Sequence, residues 1–155
     1  MAMGTVTKFN QWEDVIGGDA NRQWDDSTAG NVMFYLADGA VTPGATDTTI
    51  DDIGIYGTNT ITAGDGAPIA ATALAITPSG GTTYYDSAAA NFGASVTISA
   101  KWLIATLPVA ANTPASTAKL LWFVDLDDAS GTAEVSSTAS TFSIAPTANG
   151  WIGST

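Results

Sequence analysis

Few side chains in this sequence can do chemistry, and most of those that can are aspartates. The densest group closes "LLWFVDLDDASGTAE", Leu120 to Glu134, where Asp125, Asp127 and Asp128 follow a run of bulky apolar residues. Two readings compete: oxygen ligands for a cation, or the solvated turn after a buried strand. A calcium loop of the EF-hand kind needs oxygen donors at alternate positions, glycine at the sixth and a bidentate acid at the twelfth. Counted from Asp125, the fifth position is Ala129, the sixth Ser130 and the twelfth Ser136, so that template fails. The expectation is a strand with Leu120, Trp122, Val124 and Leu126 on one buried face, and a polar turn of Asp127, Asp128 and Gly131 after it. A cation site of another type is the alternative. The doublets Asp25-Asp26 and Asp51-Asp52 are read as solvated loop carboxylates, because neighbouring residues on a strand face opposite sides. No metal site is assigned.

The chain has neither histidine nor cysteine. That removes the usual base near neutral pH, the commonest transition-metal ligand, and all thiolate and disulfide chemistry. What remains is a carboxylate pair of the glycoside-hydrolysis kind, or a Ser/Thr hydroxyl activated by lysine. The two glutamates, Glu13 and Glu134, fall on a predicted helix and just past a hairpin. Lys101 sits on the polar face of a predicted strand and Lys119 at a strand start. Nothing converges, and "GGDANR" and "SGGT" are turn glycines with no phosphate-loop spacing. The expectation is no enzyme and no cofactor.

Charge narrows the partners. Four basic residues stand against fifteen acidic ones, a net charge of −11. Nucleic-acid affinity comes largely from Lys and Arg neutralising phosphates, so neither nucleic acid nor an anionic membrane surface is an expected partner. Repulsion between copies is screened within about 8 Å at physiological salt, so assembly through neutral faces stays open. Charged residues are only 12% of the chain. Its surface must therefore be built from Thr, Ser, Ala, Gly and Asn. No apolar run approaches the roughly 20 residues that cross a bilayer. "MAMGTVTKFNQWED" lacks the basic start and apolar core of a secretion signal.

The elements that hold these residues are mostly extended. "TKFNQWEDVIGG" is the one predicted helix: Phe9, Trp12, Val15 and Ile16 share a face, Asn10 and Glu13 fit a loose capping box, and Gly17-Gly18 stops it. At two to three turns it must dock to be stable. "NVMFYLADG" reads as a strand with Val32, Phe34 and Leu36 on one face and Met33 and Tyr35 on the other. "TTIDDIGIYGTNTIT" reads as a broken strand, "AATALAITP" as a small one ended by Pro78, and "GGTTYYD" as a short edge. "ASVTISAKWLIATL" alternates longest, with Val96, Ile98, Ala100, Trp102 and Ile104 opposite Thr97, Ser99 and Lys101. "AKLLWFVDL" and "STFSIAP" follow. Seven or so short strands predict one mainly β domain over 1–155, a β-sandwich or jelly-roll-like Greek key with one short N-terminal helix. Residues 1–18 would form an arm and that helix, and 31–155 the sandwich. The arm, Met1 to Lys8, is expected to order only on a partner.

Trp102 and Trp122 lie on strong strands and are expected in the core. Phe9 lies on the helix's apolar face, which must rest on this domain or on a neighbouring subunit. Trp12, Trp24 and Trp151 lie near the termini or in loops, where core cap, subunit contact and ligand platform are the options. Phe9, Trp12, Trp24 and Trp151 are therefore the candidate subunit-interface residues, tryptophan being enriched at binding hot spots.

The order of these pieces resembles a group of small tailed-bacteriophage structural proteins. "TKFNQWEDVIGG" followed by "NVMFYLADGAVTPGATDTTIDDI" is similar to their opening helix, strand, Ala/Pro loop and acidic stretch. "NFGASVTISAKWLIATLPVAANTPASTAKLLWFVDL" looks like their central hairpin with its "NTP"-like loop. "STFSIAPTANGWIGS" is similar to their closing strand and "PNANG"-like tail. The resemblance covers most of the chain apart from "DANRQWDDSTAG" and the stretch from Ile61 to Gly93. It implies a virion component, foremost a capsid decoration (cement) protein on the capsid exterior, with the major capsid protein and copies of itself as partners. The alternatives are a tail or fibre component and, from another class, a carbohydrate-binding β-sandwich module.

Overall fold

In a computed structural model, residues 4–12, 32–55, 68–110, 113–127, 133–148 and 150–154 are described. The apolar, β-branched and aromatic segments "MFYLA", "WLIATL" and "KLLWFVD" form the centre of the molecule. They are β2 (Met33–Ala37), β8 (Trp102–Leu107) and β9 (Lys119–Asp125), all antiparallel. The short β1 (Thr7–Lys8) and β3 (Ile69–Ala70) complete a five-stranded sheet in the order β1-β9-β8-β2-β3.

Three smaller sheets make a second layer. β5 (Thr82–Asp86) lies between β4 (Ala75–Ser79) and β12 (Ile152–Ser154). β6 (Ala90–Asn91) pairs with β11 (Ser143–Ile144), and β7 (Val96–Ala100) with β10 (Val135–Ser140). Gly80 and Gly81, with φ of +61° and +84°, make the two-residue turn joining β4 to β5, a conformation that side chains with a Cβ resist.

Strand alternation splits the large sheet's side chains between two cores. Phe34, Leu36, Leu103, Ala105, Trp122 and Val124 point into the space shared with the second layer, against Tyr85, Phe92, Ile98, Phe142, Ile144 and Trp151. Met33, Tyr35, Ile104, Leu120 and Phe123 point to the opposite face, covered by Phe9 and by Val41, Ile50, Ile53 and Ile55 from segment 38–55. Each large apolar side chain so buried contributes about 1.5–3 kcal/mol. The mainly β, sandwich-like architecture therefore agrees with the sequence reading.

The N-terminal helix does not. Thr7 and Lys8 are strand, opposite Phe123 and Trp122, and the Phe9 amide donates to the Leu121 carbonyl. The edge of β9 supplies ready partners for this backbone, whereas a helix of two or three turns is marginal even when amphipathic. Gly4 to Lys8 thus docks on its own chain, with the Gly4 amide on the Asp125 carbonyl. The remainder of the expected helix, Glu13 to Gly18, lies outside the described residues.

Other differences have equally local causes. The long alternating segment is two strands broken at Lys101: Val96, Ile98 and Ala100 face the shared core, while Trp102 and Ile104 belong to the opposite one. In β9, Ala105 pairs with Trp122 but Thr106 with Leu120, so Leu121 is an inserted bulge residue. The bulge sends Leu120 to the face opposite Trp122, and β9 is buried on both sides. Residues 50–54 are turns rather than a broken strand, β5 is a central rather than an edge strand, and the "WIGS" tail adds β12. Pro78 sits on β4, an edge strand, where a missing N–H costs no ladder bond.

Candidate functional site

The acidic end of β9 is a junction between layers. Lys101 is buried, and its Nζ lies 2.8 Å from Asp125 Oδ2 and 4.9 Å from the centre of the Trp102 ring. Its backbone amide donates to the Ala37 carbonyl and its own carbonyl accepts from Leu126. Asp125 Oδ1 accepts from the Asp127 amide at 3.0 Å. Asp125 therefore anchors the residues that follow β9; of the expected turn residues Asp127, Asp128 and Gly131, the last two lie outside the described residues. Close by, Glu134 accepts from the Ser99 hydroxyl at 2.6 Å and the Gly39 amide at 2.8 Å, tying the start of β10 to β7 and to the end of β2. The Ser99 hydrogen bond, then the Gly39 amide and the Lys101 charge, hold its carboxyl below the usual carboxylate range.

Asp52 is the other strongly engaged acid. Its Oδ2 accepts from the Thr48 amide, the Thr48 hydroxyl and the Thr49 amide at 2.7 to 2.9 Å. Those bonds, the Thr48 hydroxyl first, lower its pKa from 3.8 to about 2. A carboxyl with a depressed folded-state pKa contributes stability above its unfolded value, and that contribution disappears as pH falls through the folded one. Thermal melts between pH 5 and pH 2 should thus show wild type losing stability through pH 4 to 2, with a shallower loss in Asp52→Asn. Parallel curves would show that the Thr48–Thr49 contacts do not stabilise the fold.

The same use recurs around the molecule. Asp38, Asp47, Asp52, Asp86, Asp125 and Glu134 each accept a backbone N–H within a turn or between neighbouring loops. Among the described residues, no three acids come together as a metal cluster.

The aromatic candidates are interior. Phe9 is 1% exposed, Trp12 1% and Trp151 3%, so the single chain buries all three as core. Trp12 meets Tyr85 edge-on and Trp151 stacks on Trp122 at 5.2 Å. Trp24 lies outside the described residues. A groove of about 700 Å³ runs between Gly4–Lys8 on one side and Ser143–Thr147 with Trp151–Gly153 on the other. It follows the seam where the edge of the large sheet meets the second layer.

Lys101 on a polar strand face and Glu134 just past a hairpin are the sequence expectations; the structure adds that both clasp the layer junction. The available signal was a lone lysine inside an otherwise apolar and hydroxyl-bearing alternation, where an unpaired charge has no place. No family model, curated protein or solved structure matches the chain.

Proposed function

We propose that this chain is a bacteriophage virion structural protein, a capsid decoration (cement) protein on the outer face of the head. The observation that carries the reading is the employment of its carboxylates. In a chain without histidine or cysteine, six acids are spent on capping turns and clasping loops, which is the work of a scaffold. Such a protein stabilises a shell by adding buried contact between capsomers, with no bond made or broken. The ordered resemblance to small tailed-phage structural proteins supports the same reading. A net charge of −11 suits the exterior, since packed DNA within would repel it. A carbohydrate-binding module would stack sugars on exposed rings; of the platform candidates among the described residues, Trp12 and Trp151 are both buried.

The test is addition of the purified protein to undecorated capsids. It should co-sediment with them and raise the temperature at which they release DNA. Binding to tails with none to heads would move the protein to the tail, and binding to neither would end the reading.

A further inference from the structure

We infer that Lys101 and Asp125 form a self-modification site: after folding, their side chains condense into an amide that cross-links the start of β8 to the end of β9. The inference is independent of the decoration reading, and both reacting groups belong to this chain. Lys101 is buried, and its Nζ, the nucleophile, lies 2.8 Å from Asp125 Oδ2. Neither residue is held by that contact alone. The Lys101 carbonyl accepts from the Leu126 amide at 2.8 Å, the Lys101 amide donates to the Ala37 carbonyl, and Trp102 lies opposite Asp125 in the sheet. Groups fixed side by side in this way react as if highly concentrated, with effective molarities that reach roughly 10⁵–10⁸ M for well-oriented pairs.

The surroundings suit the reaction. An ammonium and a carboxylate in contact become amine and carboxylic acid by moving one proton, and burial favours that exchange because it penalises both charges. Asp125 Oδ1 accepts from the Asp127 amide at 3.0 Å, so a backbone donor already stands at the oxygen where charge builds as Nζ attacks Cγ. Oδ2 faces Nζ and receives its protons. The step balances within the pair: the Nζ–Cγ bond forms, the Cγ–Oδ2 bond breaks, and Oδ2 leaves as water with two protons from Nζ. The Asp125 side chain is 26% exposed, which gives that water a way out. Glu134 takes no part in the balance, since its oxygens are engaged by Ser99 and Gly39. Freshly refolded protein carries the ionic pair, and the linked form, which closes a loop across 24 positions, builds up from it.

Intact mass after denaturation is the test. Wild type kept folded and warm for several days should become lighter by one water in most of its molecules. Trypsin then fails to cut after Lys101, and residues 23–119 and 120–155 emerge as one branched fragment. Lys101→Arg keeps the positive charge but should retain full mass, and wild type held unfolded in urea throughout should stay unlinked. Full mass in folded wild type, with residues 102–119 and 120–155 released separately, overturns the inference. So does a water lost equally in Lys101→Arg or without the branched fragment, which is the mark of an aspartate closing on its own backbone. Linkage that forms as fast in urea overturns it as well, because the fold then contributes nothing. The wild-type peptide map decides the matter even where the variant does not fold, and no outcome bears on binding to capsids.

Discussion

Lys101→Ala should cost about 3 kcal/mol of folding stability, near the lower end for breaking a buried ion pair. At a urea slope of roughly 2 kcal/mol/M for a chain of this size, the unfolding midpoint drops by about 1.5 M. The size follows from what remains behind. Without the ammonium, Asp125 keeps its charge with only 26% of its side chain exposed, and the Trp102 ring loses the cation over its face. Attraction in the wild-type pair does little more than offset the desolvation of both ions, so its net worth is small although its disruption is expensive. Removing both charges should therefore recover most of the loss. In Lys101→Met with Asp125→Asn, the methionine fills the space of the lysine stem, and the asparagine oxygen still accepts from Asp127. A drop below about 0.3 M in Lys101→Ala, or a double variant as weak as the single, would show that the junction is not held by this pair.

That junction also marks where the sequence stopped being legible. Apolar, aromatic-rich runs in "NVMFYLADG" and "AKLLWFVDL", and period-two alternation in "ASVTISAKWLIATL", correctly indicated extended segments, because side-chain direction along a strand is a local property. The alternation could not reveal the break at Lys101, since both halves are regular and the change of face depends on which strands they meet: β7 joins β10, while β8 joins β2 and β9. The bulge at Leu121 was hidden for the same reason. Every residue around it is apolar, and a strand buried on both faces gives no alternation to lose. The spacing from Phe9 onward predicts a helix that takes in Thr7 and Lys8, and the partner that makes them strand lies over a hundred residues away on β9. For the acids, residue order alone does not indicate which turn each one caps. Asp52 and Thr48 stand four residues apart, but Glu134 reaches Ser99 and Gly39 across 35 and 95 positions.

Trp151→Ala should destabilise the isolated chain by about 3–5 kcal/mol, as expected for truncating a large buried aromatic. Its ring stacks on Trp122 at 5.2 Å, meets Phe34 at 5.4 Å, and its indole N–H donates to the Ser87 hydroxyl at 2.8 Å. Through those contacts the C-terminal tail closes the shared core: Gly150, at φ +95° with no room for a Cβ against the Tyr85 carbonyl, turns the chain so that Trp151 enters and β12 pairs with β5. Phenylalanine substitutions separate ring packing from hydrogen bonding. Trp151→Phe leaves a smaller ring in place but removes a buried hydrogen bond worth about 1 kcal/mol. Trp122→Phe removes an indole N–H that has no hydrogen-bond partner among the described residues, so no hydrogen bond to them is lost and packing sets the cost. An interface tryptophan behaves otherwise: its truncation leaves the lone chain's denaturation curve in place and weakens association instead. Urea unfolding of Trp151→Ala under monomeric conditions decides between them, and an unmoved midpoint would return Trp151 to the list of contact residues.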